Sequence, residues 1–249
     1  MKKFSALLDI VVVSLVLVVA CPAFGSIFIS PEKNDSVSFD TSIAGDNSGG
    51  PFTGTLTHGT TTTTWNTFCV EADGGDEYFF NNATYSVYGT SPNTASLSGN
   101  IVQDAAKWLY WMYGTNQSNI QGTIVTLTGT VTYKYDDSIK ADRTSLQEAI
   151  WHGVTLKGGG ILSTPMDDAA WAWYNTASAA VASNPEFLNY VYVLNPGPAP
   201  PGYAPPGSLG EAQSMLYAQI PEPASLIVWS LIATISYLGV TAWRRQARG

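Results

Sequence analysis

Twenty consecutive uncharged residues, Ala224 to Trp243, rich in Leu, Ile, Val, Trp and Ala, limit what this chain can be more than any other feature. A stretch of that length spans a bilayer as a helix. Arg244, Arg245 and Arg248 follow it directly, which predicts a tail kept on the cytoplasmic side. The opposite end begins with Lys2 and Lys3, runs through an apolar core from Leu7 to Ala20 broken only by Asp9 and Ser14, and finishes on small residues. That is the layout of a secretory signal peptide over residues 1–25, and the core is short for a permanent spanning helix. Ala23-Phe24-Gly25 suits a peptidase cut before Ser26, whereas Val18-Val19-Ala20-Cys21 offers a competing cut that would lipidate Cys21. On either reading the middle of the chain is expected to fold outside the cytoplasmic membrane.

Pro221-Glu222-Pro223 stands immediately before the apolar stretch. The tripeptide, the apolar helix and the arginine-rich tail, in this order, resemble the PEP-CTERM sorting signal of bacterial exported proteins. The resemblance implies processing of residues 221–249 by an exosortase-type enzyme, and so a cell-envelope or cell-surface protein anchored in the membrane before processing. The other reading is an ordinary tail anchor with a fortuitous Pro-Glu-Pro.

Setting aside Asp9, the two N-terminal lysines and the three C-terminal arginines leaves eighteen acids against six bases, a net charge of −12. So acidic a surface repels phosphate backbones and excludes nucleic acid as a partner. Cys21 leaves with the signal, so the mature chain carries one cysteine, Cys69. In an oxidising compartment it has no internal disulfide partner, and it is therefore buried, paired with another chain, or chemically engaged.

Periodicity orders the middle. Ser26 to Ser30 reads as a short strand, Thr53 to Glu71 as mostly strand through its run of β-branched threonines, and Tyr78 to Tyr88 as an aromatic strand. Ile101 to Tyr113 has apolar residues at helical spacing with Gly114 as a stop, and Thr123 to Tyr135 returns to alternation. A second helix is expected from near Ser145. A third is expected from Thr164-Pro165 to about Ser183, followed by a closing strand at Phe187 to Leu194. Residues 195–220, rich in Pro, Gly and Ala, read as a linker. The expected class is α+β, predominantly β, with residues 26–194 as one extracytoplasmic domain. Strands first and last with helices between them suggest a β-sandwich or barrel carrying an inserted helical part.

Within that plan, alternation places Cys69 on the face opposite Phe68 and Val70. Ser145 and Glu148 have capping-box spacing, which would start the helix at Leu146 and put Gln147 in its first turn, with Trp151 four residues on along the same face. First-turn backbone N–H groups would then stabilise the oxyanion formed when the Cys69 sulfur attacks the Gln147 carboxamide. Loss of ammonia leaves an internal thioester, which Trp151 would shield from water.

Phe68-Cys69, then the aromatic-rich stretch Ala105-Ala106-Lys107-Trp108-Leu109-Tyr110, then Leu146-Gln147-Glu148-Ala149-Ile150-Trp151 resemble the thioester domain of bacterial surface adhesins. The glutamine motif, apolar-Gln-any-any-apolar-aromatic, is met in full. The cysteine motif, aromatic-Cys-aromatic, is met at Phe68 and Cys69 but not at Val70. The resemblance implies a Cys69–Gln147 crosslink shielded by Trp151 and Phe68, with no cofactor. It implies covalent capture of a nucleophile on a neighbouring surface rather than enzymatic turnover.

Plainer readings stand beside it. Cys69 is also acceptable as a small buried hydrophobe, and 146–151 as an amphipathic helix without chemistry. A hydrolase pairing Cys69 with His152 lacks further support. His58 and His152 with one cysteine make a poor zinc set. Asp73-Gly74-Gly75-Asp76-Glu77, Asp136-Asp137 and Asp167-Asp168 lack calcium-loop spacing. Trp108, Tyr110, Trp111, Trp171, Trp173 and Tyr174 suit a core better than a sugar platform. The functional alternative to an adhesion module is a noncatalytic structural component of an extracellular matrix.

Overall fold

A computed structural model describes residues 31–40, 50–71, 83–95, 99–160, 166–183, 185–198 and 213–218. The expected signal peptide, the strand at 26–30, the acidic run 73–77, the sorting tripeptide and the apolar segment 224–243 lie outside those residues. Among the described residues no helix is long and apolar enough to cross a membrane.

In chain order the described elements are β1 (Ser36–Asp40), β2 (Phe52–His58), β3 (Thr61–Thr67) and β4 (Thr84–Ser91). Next come β5 (Ile101–Val102), α1 (Asp104–Asn116), β6 (Gln121–Thr126), β7 (Gly129–Lys134), α2 (Lys140–His152), β8 (Val154–Thr155) and α3 (Asp168–Val181). β9 (Val191–Pro196) and β10 (Met215–Ala218) close the series. The protein is α+β and mostly β, as its alternating stretches predict. β10-β9-β4-β1-β2-β3 form an antiparallel sheet, and everything from β5 to α3, the three helices included, is inserted between β4 and β9.

Period-two patterning decides which way the sheet faces. Val37 and Phe39 of β1, Phe52 and Leu56 of β2, and Tyr85 and Val87 of β4 point inward and are at most 2 % exposed, with polar residues between them. Removing each such side chain from water contributes about 1.5–3 kcal/mol. Gly54 lies opposite Trp65 across β2 and β3, and the indole occupies the space a Cβ at Gly54 would need, 2.6 Å from its Cζ2. The missing side chain of one strand is thus filled by the ring of the next.

The sheet curls until its outer strands meet. Beyond β3, Val70 N donates to Ser214 O and Leu216 N to Phe68 O, both at 3.0 Å, and Cys69 bridges Met215. Thr67 Oγ1 adds a bond to Leu216 O. This seam satisfies backbone groups that an open edge would leave unpaired.

Several expectations are corrected. Pro31 to Gly50, whose turn residues read as a polar loop, holds β1, because Val37 and Phe39 alternate into the core between β2 and β4. The strand expected over Thr53 to Glu71 is a hairpin, because Gly59 at φ +57° takes a turn conformation that threonines resist. The strand expected over Thr123 to Tyr135 is also a hairpin, turning at Leu127-Thr128. α1 starts at Asp104 rather than Ile101, since Ile101 and Val102 pair with Thr155 and Val154, and it runs past Gly114. α2 starts at Lys140, six residues before Leu146. Asp136 makes the turn ahead of it, accepting Ser138 N, and Asp142 in the first turn accepts Asp136 N. α3 is capped by Asp167, whose Oδ1 accepts Ala170 N at 2.8 Å, not by Thr164. The closing strand is shifted to Val191–Pro196 behind a short 3-10 turn, and the segment read as linker contributes β10, buried along its whole length.

Candidate functional site

Cys69 follows β3 at the seam, and Gln147 lies midway along α2. The two meet: Cys69 Sγ is 3.6 Å from Gln147 Oε1. Two backbone groups fix the carboxamide, with Gly50 N donating to Oε1 at 2.9 Å and Nε2 donating to Cys69 O at 2.9 Å. Gln147 is fully buried and Cys69 is 1 % exposed. A buried amide with both ends satisfied has a single orientation, so its carbonyl is held beside the sulfur.

The donor to Oε1 is not the one the helix-start reading supplies. Because α2 begins at Lys140, Gln147 lies beyond the first turn and its helix offers no orphan N–H there. Ser145, expected as the cap, instead donates to Ala141 O at 3.0 Å and to Asp167 Oδ2 at 2.6 Å. Gly50 takes the donor's place from the segment entering β2, a residue the sequence reasoning did not single out. Its signal was there: a Gly-Gly-Pro run just before the strand. A Cβ at Gly50 would sit 2.8 Å from Phe68 Cδ1 and 2.9 Å from Gln147 Oε1, so only glycine brings its N–H so close.

The predicted faces hold at the cysteine. Cys69 belongs to the core beneath the sheet with Phe39, Leu56, Trp65 and Met215, against which Trp151 packs. Phe68 turns the other way, its ring edge-on to Tyr113 at 4.9 Å and to Tyr110 at 6.3 Å. Those tyrosines of α1 reach back to β3, Tyr110 donating to Asn66 O at 3.0 Å and Tyr113 accepting from Asn66 Nδ2 at 3.1 Å. Phe68 therefore ties the strand end to α1, while Trp151 is the aromatic on the sulfur side.

Burial pushes the Cys69 thiol up from 9.0 to about 12. The Trp151 indole N–H opposes this rise and the nearby Glu71 charge adds to it. Trp151 Nε1 is buried without a hydrogen-bond partner, so the indole faces the sulfur short of a full hydrogen bond. An unpartnered buried N–H costs stability, and this one lies beside the thiol and favours its charged form. Glu71 Oε2 accepts Ser214 N at 2.5 Å, which anchors the strand end to the residue before β10.

The other sequence candidates are placed elsewhere. His152 packs edge-on between Trp171 (4.7 Å) and Tyr174 (4.6 Å) and makes no hydrogen bond with Cys69. His58 pairs with Asp35 at 2.8 Å beside the turn of the β2–β3 hairpin. Asp136 accepts Ser138 N and Oγ within a turn, Asp137 accepts the Tyr135 hydroxyl at 2.6 Å, and Asp167 caps α3. Of the aromatic set, Tyr110 and Trp173 are core, and Trp111 stacks on Tyr190. Among the described residues no cluster of His, Cys, Asp and Glu is arranged to hold a metal ion.

No protein-family model, no curated protein and no solved structure matches this chain.

Proposed function

We propose that this is an exported surface adhesion module in which Cys69 and Gln147 form an internal thioester that captures nucleophiles covalently. One observation carries the reading: a fully buried carboxamide is clamped by Gly50 N–H and Cys69 O with its carbonyl against the only free thiol of the described chain. The Cys69 sulfur attacks Gln147 Cδ, and the negative charge gathers on Oε1, where Gly50 N–H already points. Collapse breaks the Cδ–Nε2 bond, and the amide nitrogen leaves with the thiol proton as ammonia. The product is a Cys69 Sγ–Gln147 Cδ thioester. A primary amine attacking that carbonyl later forms an amide with residue 147 and returns Cys69 as a thiol. The sequence resemblance to adhesin thioester domains supports the same pair, shielding by Trp151 on the sulfur side, and the finer fold, a β-sandwich or barrel with a helical insertion, whereas Phe68, the other shielding aromatic it implies, packs against α1 instead.

Location rests on the sequence. Pro221, Glu222 and Pro223 ahead of the apolar segment 224–243 fit sorting by an exosortase-type enzyme, with the membrane as a first anchor and the envelope or cell surface as destination. The partner is a surface or matrix molecule bearing a nucleophile, and nucleic acid is excluded by charge.

The mature protein should weigh one ammonia less than its sequence, and a labelled primary amine should map to Gln147. Full sequence mass with Cys69 freely alkylated by iodoacetamide would sink the reading. Gly50→Ala, whose Cβ collides with Phe68 and the Gln147 oxygen, should lower the fraction carrying the ammonia deficit. A second reading, a noncatalytic matrix component, is favoured by the exposed apolar tip of the β6–β7 hairpin, where Val125 is 82 % exposed and Leu127 fully so. Cys69→Ala separates the two: it abolishes amine incorporation on the first reading and leaves matrix association unchanged on the second.

A further inference from the structure

Cys69 and Gln147 are sealed from solvent, so a reagent reaches them only after part of the wall opens. α2 is a poor candidate for that part. It is thirteen residues long and packs against both other helices, with Gly153 at its end closed on Ala106 of α1. The β2–β3 hairpin is paired along seven residues. The seam is the short side. There β10 spans four residues and faces 67–71 through a few bonds: Leu216 N to Phe68 O, Val70 N to Ser214 O, Thr67 Oγ1 to Leu216 O, Ser214 N to Glu71 Oε2, and the Cys69–Met215 bridge itself. On its other side β10 pairs with β9 along all four residues, and Ser214 Oγ bonds Asn195 Oδ1 of β9 at 2.8 Å, so the side that can part is the seam toward 67–71. A pairing of so few bonds opens at less cost than the seven-residue hairpin or the packed helix.

We propose that β10 is a latch over the Cys69–Gln147 pair, and that its release, not unfolding of the domain, admits the nucleophile. The placement couples the site to the tail. Ala218 is separated by only five residues, Gln219-Ile220-Pro221-Glu222-Pro223, from the apolar segment that starts at Ala224. Whatever holds or processes that tail acts on the strand that covers the cysteine. Cleavage at or after Pro221 leaves the latch on the domain, whereas cleavage before Ser214 takes it away. The idea rests on Cys69 being the reactive residue named above, but its test does not require the thioester.

In the full chain the Cys69–Gln147 pair is modified in either chemical state, methylamine adding at residue 147 of thioester molecules and iodoacetamide alkylating Cys69 of free-thiol ones, and either reaction is the modification of the site read below. Intact mass shows which reagent has reacted, so absence of the thioester shows as a missing methylamine signal while the latch is still read through the thiol. If β10 is the latch, the opening equilibrium governing modification of the site matches that of amide exchange at Leu216 and stays well above that of the slowest core amides. If the site is modified only as fast as the whole domain unfolds, the latch is wrong. Thr67→Val, which deletes the Thr67 Oγ1 bond to Leu216 O across the seam, should speed modification about fivefold, the effect of one lost hydrogen bond. Leu216→Pro, which removes the Leu216 N–H donor to Phe68 O, should act at least as strongly. A Thr67→Val protein in which the Leu216 amide exchanges faster while the site is modified at the parent rate would also overturn it.

Discussion

Two hairpins of similar sequence meet opposite fates in this protein. β2–β3 and β6–β7 are both rich in threonine, both alternate, and both turn through two residues. In β2–β3 the inward positions are Phe52, Leu56 and Trp65, and the hairpin is joined to β1 and runs on to Cys69. In β6–β7 nearly every residue from Thr123 to Lys134 is exposed or half-exposed, and the pair touches the body chiefly where Gly122 meets Ala172 of α3. Alternation therefore marks strands without saying which face a neighbour will cover. Burial followed the side with large aromatic and aliphatic residues and an adjoining strand. The hairpin that was covered is the one that runs on to Cys69, where the thiol meets Gln147 of α2.

The sharpest way to break that contrast is Trp65→Ala. The indole fills the gap above Gly54, meets Tyr217 edge-on at 5.5 Å and Phe39 at 6.3 Å. Its loss should cost about 3–5 kcal/mol in chemical denaturation and lower the ammonia-deficient fraction, because Cys69 shares that core. A cost below about 1 kcal/mol would mean that the β2–β3 hairpin is no better anchored than β6–β7.

Gly122→Ala tests the other hairpin at its contact. A Cβ there would lie 2.2 Å from Ala172 O and 2.3 Å from its carbonyl carbon, backbone atoms that cannot swing away. The hairpin must lift or α3 must shift, at about 1–3 kcal/mol. The ammonia deficit should be unchanged, since Gln147 and Cys69 take nothing from β6. Loss of the deficit in this variant would show that the two regions are coupled.

What could be read in the sequence was local or chemical. The order Cys69, Gln147, Trp151 and the face-sharing of the last two follow from residue type and helical spacing, and they survive a helix start misplaced by six residues. The misplacement arose because Ser145 and Glu148 mimic a capping box, whereas the true start is set by a turn at Asp136 whose side chain bonds Ser138, ten residues before Leu146. The Gly-Gly-Pro run marks a turn at Gly50, but its role at the site, like β10, was illegible for a different reason. Gly50 serves the site across a sequence separation of 97 residues, and Met215-Leu216-Tyr217-Ala218 is a four-residue apolar run inside a Pro- and Gly-rich stretch. Its strand state exists only because β9 and the end of β3 happen to flank it. Pairing over such distances leaves no periodicity to detect.

Alkaline pH gives a smaller test on the covered side. The thiol's folded value, about 12, lies above its ordinary 9.0, so the unfolded chain loses its proton first. The stability due to the buried neutral thiol is complete below pH 9 and is lost as pH rises toward 12. A Gln147→Ala protein, which keeps the free thiol, should lose stability above pH 9 with a slope approaching ~1.4 kcal/mol per pH unit. Cys69→Ala should stay flat between pH 9 and 10. The buried tyrosines Tyr110, Tyr113 and Tyr217 are also raised, from 10.0, so the comparison is cleanest in that window. A wild-type protein carrying the thioester has no thiol to titrate and should follow Cys69→Ala; if it follows Gln147→Ala, the bond is not there.

The smallest effect is expected at the hairpin that stayed outside. Leu127, at the tip between β6 and β7, is fully exposed and Val125 is 82 % exposed. Exchanging Leu127 for Thr removes apolar surface that folding never buries, so denaturation midpoints should move by no more than about 0.5 kcal/mol in free energy. Thr126 and Thr128 already close the turn through their own side chains, with Thr126 Oγ1 donating to Gly129 O at 2.9 Å, so the turn does not need the leucine. That leaves the leucine free for contact with a surface outside the domain. Sedimentation of Leu127→Thr against the parent over rising concentration reads that directly. A parent that self-associates and a variant that does not would assign the tip to contact between copies, and identical sedimentation would leave β6–β7 without a role in self-association.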